Sequence, residues 1–352
     1  MNRRDIILKL IVDHFIKTAQ PVGSQTLLDE YHLDYSSATI RNEMNALETD
    51  GLIEKTHTSS GRVPSSKGYH YYIDNLREKS IDEEIKNRIQ IVLDQKVQSA
   101  EEVIRESCEI LSHMTNLVSI VLGPNASEEK LVSLQIIPIG EKSATAVFVT
   151  DTGYVENKTF NIDEKIKVDD VQSCVRLLNE RLVGTSISEL VPKMQAIKPL
   201  IADLVIGNDI LYQAMLETFL RFASDRLSLY GRDGLLDQPE YSKDVGKLKK
   251  MLSMLSSPEI FRDMADNCSG ALNVKIGEDD NQYDDISIIS ARVKMPGQKD
   301  GSIAIVGPKR MDYDKVMSYL EYVVGAIEKH FESKEDKAST SESEEETTWK
   351  KN

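Results

Sequence analysis

The sequence predicts an α+β protein of several domains that opens with a winged helix-turn-helix. Three observations predict it. At 352 residues, with 40% hydrophobic and 29% charged side chains, the chain has the length for two or three domains and the composition of a folded globular protein. Its opening residues run through three amphipathic helical patterns into a short hairpin and a fourth helix. Further on, alternating strand patterns lie a few residues apart and are flanked by helices, which argues for antiparallel sheets.

The first helix spans residues 3–19, where Ile6, Ile7, Leu10, Ile11, Phe15 and Ile16 recur every three or four residues, and the Pro21 region stops it. Ser24 suits the N-cap of a short second helix whose Leu27, Leu28 and Tyr31 share a face, and residues 32–35 make a turn. Ser36 or Ser37 caps a third helix with Ile40, Met44 and Leu47 as its apolar stripe, and Gly51 supplies the left-handed residue that ends it. Residues 52–55 and 62–64 read as strands around a polar turn at 56–61, and Ser65 caps a helix carrying Tyr69 and Tyr72.

Residues 81–115 are helical, with Ile85, Ile89, Val92, Val103, Ile104 and Leu111 as apolar positions, and lead into a strand at 117–122. Strand-like runs at 131–139, 144–150 and 154–162, joined by short turns, make an antiparallel meander. Helical patterns follow at 168–182, 188–205 and 209–229, and Pro192 and Pro199 are expected to break the middle one. A helix at 245–255, strands at 272–276, 286–295 and 302–306, and a helix at 313–331 form an α+β domain that the 81–122 segment completes. The meander with its helices then reads as an insertion. Residues 332–352, rich in Ser, Thr, Glu and Lys, are expected to be a disordered acidic tail.

Lys and Arg number 43 against 58 Asp and Glu, a net charge of −15. That excludes a protein that coats nucleic acid or anionic membrane without specificity, so any DNA contact needs a local basic surface. Cys108, Cys174 and Cys268 fall in no CxxC or Cys/His spacing, which argues against both a disulfide framework and a zinc site. No secretory or spanning segment is recognisable, and a cytoplasmic location is expected. His14, His32, His70, His113 and His330 are scattered, and no P-loop or nucleophile-elbow motif occurs. No enzyme, cofactor or metal is expected. Asp279, Asp280, Asp284 and Asp285 lack the EF-hand order and read as a solvated loop.

On the third helix, with Ile40 at the centre of the buried face, Ala38, Asn42, Asn45 and Thr49 point outward, flanked by Thr39 and Arg41. A guanidinium can bond guanine O6 and N7 together and a carboxamide adenine N6 and N7, so Arg41, Asn42 and Asn45 suit a major groove. Ser36, Ser37 and the first free backbone N–H groups suit a phosphate. The alternative is a solvated polar face. The hairpin favours DNA: no acidic residue lies between Lys55 and Lys67, and Lys55, His57, Arg62 and Lys67 can follow a sugar–phosphate backbone or enter a minor groove.

Tyr35-Ser36-Ser37-Ala38-Thr39-Ile40-Arg41-Asn42-Glu43-Met44, then Leu47-Glu48, Gly51-Leu52-Ile53, Thr58-Ser59-Ser60-Gly61-Arg62-Val63-Pro64-Ser65 and Gly68-Tyr69 closely resemble the heat-inducible transcription repressor family HrcA. Leu235-Leu236-Asp237-Gln238-Pro239-Glu240-Tyr241 and Gly307-Pro308-Lys309-Arg310-Met311-Asp312-Tyr313 look like later signatures of that family, so the resemblance runs over residues 1–331. It implies a winged helix-turn-helix over residues 1–78, a GAF-like domain over 79–128 and 219–331, and an inserted dimerising domain of a three-stranded antiparallel sheet with helices over 129–218.

By the same resemblance the chain is a homodimeric negative regulator of chaperone operons. It would bind double-stranded DNA at the inverted-repeat operator CIRCE and be kept active by the GroEL chaperonin. Ser37, Thr39, Arg41, Asn42 and Asn45 would be recognition-helix contacts, and Thr58, Ser59, Gly61 and Arg62 the wing. His70 departs from the arginine common after the Gly-Tyr pair, and Tyr241 replaces a frequent phenylalanine. The competing reading keeps the repressor but places it under a small-molecule ligand of the GAF-like domain.

Overall fold

The fold is taken from a computed structural model, which describes residues 1–56, 61–95, 100–123, 129–139, 143–161, 168–202, 212, 213, 216, 227–257, 260, 261, 271–277, 283–294 and 300–349. Two compact units emerge. The first takes in 1–122, 227–296 and 300–352, and the second 123–226 with 297–299.

The first unit begins with α1 (Arg3–Thr18), α2 (Ser24–Tyr31) and α3 (Ser37–Thr49), then the antiparallel hairpin of β1 (Ile53–Lys55) and β2 (Arg62–Pro64), then α4 (Ser66–Asn75). Each helix starts where a polar side chain satisfies a free N–H: the Asn2 carboxamide accepts from Asp5 N at 2.8 Å, Ser36 Oγ from Thr39 N at 3.1 Å and Ser65 Oγ from Gly68 N at 3.0 Å. The second helix is the exception. Its N-cap is Gly23, with Ser24 already its first residue, and the Ser24 hydroxyl faces Ser37 Oγ at 3.4 Å instead of capping. In α1 the buried face is Ile7, Leu8, Ile11 and Val12, whereas Ile6, Leu10, Phe15 and Ile16 are half-buried. Gly51 ends α3 at φ +74°, and Gly68 lets α4 lie against the hairpin, since a Cβ there would stand 1.9 Å from the Leu52 carbonyl oxygen.

The rest of the unit is a five-stranded antiparallel sheet in the order β7-β3-β10-β9-β8, formed by β3 (Val118–Leu122), β7 (Leu227–Tyr230), β8 (Asn273–Ile276), β9 (Ile286–Val293) and β10 (Gly301–Pro308). Both faces are apolar because both are covered. Ile289, Ala291, Val293, Ile303 and Ile305 join one cluster with α5 (Glu83–Leu93), α6 (Ala100–Thr115) and the C-terminal helix, and that cluster continues into Ile7, Leu8, Ile40 and Met44 of the first three helices. On the opposite face Val118, Ile120, Ile286, Ile288, Ala304 and Val306 meet Leu235, Tyr241, Met251, Met254 and Leu255.

The two late sequence signatures converge on α1. Arg310 forms an ion pair with Glu240, donates to Gln238 Oε1 at 3.3 Å, and through Nη1 donates to the Ile16 carbonyl at 2.9 Å. Below this contact the Tyr69 and Tyr313 rings stand 5.3 Å apart, and Ser66 Oγ donates to the Gly277 carbonyl at 2.6 Å.

The second unit holds the meander as an antiparallel sheet of β4 (Leu131–Pro138), β5 (Ser143–Thr150) and β6 (Val155–Asn161), with α7 (Val168–Leu182) and α8 (Ile187–Ala202). Leu131, Leu134, Ala146 and Phe148 form its core with Leu178, Leu182, Ile187 and Met194. Asn179 of α7 pairs with β4 as another strand would, accepting from Leu134 N at 3.0 Å and donating to Leu134 O at 2.8 Å.

Three further expectations are corrected. Pro192 and Pro199 sit inside α8 without ending it; both are exposed, so the carbonyls that lose a helical donor can turn to water. Residues 227–229, read as the end of a helix, belong to β7, where Leu227 and Leu229 face one side of the sheet and Tyr230 the other. The last helix runs Tyr313–Trp349, so it continues through most of the segment expected to be a disordered tail. That segment has no Gly or Pro after Gly325 and is rich in Glu and Lys, which favour a helix locally.

Candidate nucleic-acid interface

On α3 the side chains of Ile40, Met44 and Leu47 are buried, which leaves Ala38, Arg41, Asn42, Asn45 and Thr49 exposed on the outer face. Arg41, Asn42 and Asn45 have no side-chain hydrogen bond or ion pair among the described residues. Three long polar groups are therefore presented outward with their bonding capacity unspent. Arg41 and Asn45, with Gly23, Ser24, Gln25, Met44, Lys55 and Arg62, line a concavity of about 420 Å³ bounded by the start of α2, the outer face of α3 and the hairpin.

The helix start is organised differently. Ser36 Oγ lies 2.9 Å from Thr39 Oγ1 and accepts from the Thr39 backbone, and Ser37 Oγ faces Ser24. These hydroxyls shape the cap first, so what they leave for a phosphate is chiefly backbone N–H at the positive end of the helix. Lys67 sits at the other end of α3, where Nζ donates to the Asp50 carbonyl at 2.8 Å. A helix of this length separates the two ends by about 20 Å, so Ser36 and Lys67 cannot serve one phosphate.

The hairpin cations are held rather than loose. Lys55 Nζ stands 3.1 Å from Glu48 Oε1, while Arg62 directs Nε at 2.8 Å and Nη2 at 2.7 Å to Glu48 Oε2. Desolvation alone would raise the Glu48 carboxyl, but its hydrogen bonds with Lys55 and Arg62 and their charges outweigh it and hold the group below its ordinary value. The local charge of the hairpin is thus partly neutralised by a residue of α3. Arg62 also pairs through its backbone with Val22, N to O at 2.9 and 3.0 Å. Gly61 is buried, and a Cβ there would come within 2.8 Å of Pro21 Cβ, so its place in the hairpin is one of close packing. His57, Thr58 and Ser59 lie outside the described residues, as do Asp279 and Asp280. Lys247 Nζ pairs with Asp285 at 2.7 Å, and no metal-ligand cluster occurs among the described residues.

Two parts of this surface are not legible in the sequence. Gly23, Ser24 and Gln25 line the concavity because α2 begins there without a side-chain cap, a fact that the mistaken capping role for Ser24 hid. Glu48 carries no sign of its role in the sequence, because nothing in the chain links it to a residue 14 positions on.

Residues 101–317 match the family model described as the HrcA protein C-terminal domain. A curated relative, the heat-inducible transcription repressor HrcA of Halalkalibacterium halodurans, is 36% identical over 326 residues, covering 92% of this chain and 95% of its own. A solved structure described as a hypothetical protein at 2.2 Å resolution aligns with a TM-score of 0.66 at 22% identity, over 95% of this chain and 99% of that one, which shows a shared fold. Pseudomonas aeruginosa HmgR aligns over 93% of this chain and 97% of its own at 11% identity with a TM-score of 0.22, too low to carry a likeness.

Proposed function

The chain belongs to the HrcA family of heat-inducible transcription repressors, and from that premise we propose that it represses chaperone operons by occupying the CIRCE inverted repeat as a homodimer. The family is one of transcription repressors and not of enzymes, so the action is binding without a chemical step. The observation that carries the reading is the outward set of Arg41, Asn42 and Asn45 on α3, unpartnered among the described residues and beside the hairpin concavity. In this reading residues 1–78 are a winged helix-turn-helix: α3 enters a major groove, the hairpin is the wing, and Ser36, Ser37 and the open start of α2 lie along phosphates.

A two-fold dimer presents two such helices to matching half-sites, which is what an inverted repeat requires. The separate core of the second unit supports its assignment as an inserted dimerising domain at about 129–218. The five-stranded sheet with helices on both faces supports a GAF-like domain, and GroEL is the partner that keeps the repressor competent. The test is a mobility shift at fixed moderate salt on a CIRCE duplex and a scrambled duplex, each with and without GroEL. Tight CIRCE-specific binding strengthened by GroEL is expected. Equal weak binding to both duplexes would overturn the reading and direct attention to a small ligand of the GAF-like domain.

A further inference from the structure

We propose that Glu48 is a positioning residue that fixes the hairpin against the recognition helix through Arg62 and keeps Lys55 ready for exchange onto a backbone phosphate. The proposal rests on the DNA-binding reading above and divides the labour of two cations that the sequence treats alike. Both are bound to the same carboxylate, one oxygen each. Their surroundings differ: the Arg62 side chain is 11% exposed and that of Lys55 59%.

A guanidinium with two N–H groups on one carboxylate oxygen and little contact with solvent is a strut, because leaving Glu48 would strand the poorly hydrated arginine charge, while the more exposed Glu48 would keep only Lys55. Its backbone adds to this, since Arg62 also pairs with Val22 just before α2. One side chain therefore ties α3 to β2, and β2 to the entry of α2. Lys55 is opposite in kind. An exposed ammonium on a flexible stem gains little from its carboxylate, and a phosphate of the DNA is an equivalent anion. Exchange of Lys55 from Glu48 to phosphate costs little and releases a counterion, whereas exchange of Arg62 would undo the strut.

Sequence preference should then follow Glu48 and Arg62, and salt dependence should follow Lys55. The experiment measures the affinity of the full chain for operator and scrambled duplexes across a salt series, for wild type, Glu48→Gln, Arg62→Met and Lys55→Gln. Glu48→Gln keeps the shape of the side chain and removes its charge; a fall of about tenfold in the operator-to-scrambled ratio is expected, with the salt slope kept. Arg62→Met should act alike. Lys55→Gln should keep the ratio and reduce the slope by about one phosphate's share.

If Glu48→Gln and Arg62→Met both keep the wild-type ratio, the strut is overturned while the DNA-binding reading stands. If Lys55→Gln leaves the slope unchanged, the exchange is overturned. If wild type itself fails to prefer the operator, the DNA-binding reading falls, and this proposal falls with it. Thermal midpoints of all three variants accompany the titration, and a loss of ratio in both strut variants at unchanged midpoint separates positioning from general unfolding.

Discussion

Replacing Arg310 by Met should loosen α1 from the sheet-bearing part of the first unit. The guanidinium makes bonds to Glu240, Gln238 and the Ile16 carbonyl, with the Arg310 and Glu240 side chains 14% and 21% exposed. Removing one partner of a fully buried pair costs about 3–5 kcal/mol, and an exposed pair at most about 1. This pair lies nearer the buried limit, and the Ile16 carbonyl loses its donor as well, so a loss of about 2–4 kcal/mol is expected. Met keeps most of the apolar stem, which confines the loss to the polar head. Native-state hydrogen exchange read by mass spectrometry is the assay, since peptides of α1 and β10 report on this unit alone. Protection should fall most in α1. Glu240→Gln should cost less, because Arg310 keeps its other two acceptors, and the double variant should show a coupling of about 1–2 kcal/mol. A loss under about 0.5 kcal/mol for Arg310→Met, or strict additivity with Glu240→Gln, would mean that this cluster does not hold α1 in place.

Arg41→Ala should cost about 1–3 kcal/mol in operator binding and relax preference at one base pair; unchanged preference in competition with single-base variants would remove Arg41 from the base-reading set. Gly68→Ala places a methyl on the Leu52 carbonyl oxygen, so it should destabilise the first unit by at least about 1–3 kcal/mol, and a thermal midpoint within a degree of wild type would contradict the packing described. Burial raises the carboxyls of both Asp13 and Asp314, against the lowering by Lys9 and by the Glu78 N–H. The folded state therefore holds protons that the unfolded state has released, and stability declines as pH rises from the ordinary carboxylate value through the raised one. Asp314→Asn should accordingly raise the thermal midpoint at neutral pH, with the gain vanishing in acid; a gain independent of pH would assign it another cause. Burial also pushes the Cys174 thiol up to about 11 and the wholly buried Cys108 higher still, so alkylation of the native protein at pH 8 should label neither, as peptide mass spectrometry can check.

Much of the element order was legible because it rests on local physics. Ser36 and Ser65 announce their helices by capping them, Gly51 ends α3 because it takes positive φ, and Ile40, Met44 and Leu47 show the helical period. The same periodicity turned Arg41, Asn42 and Asn45 outward, which is where the structure has them. Local reasoning failed where a partner distant in sequence decides. Residues 227–229 read as helix until β3 pairs with them, and Pro192 and Pro199 read as breaks until their exposure shows water within reach of the orphaned carbonyls.

Caps, turns, the outward face of α3 and, through the motifs, family membership can thus be read along the chain, because each of these depends on neighbours within a few residues or on identity alone. It takes the folded chain to pair Arg62 with Glu48, to bring Gly61 and Gly68 into close approach, and to set Arg310 with Glu240 and Gln238 at the end of α1. Charge, exposure and pairing are properties of a residue's surroundings, and for these side chains the surroundings come from segments 14 to 294 residues away.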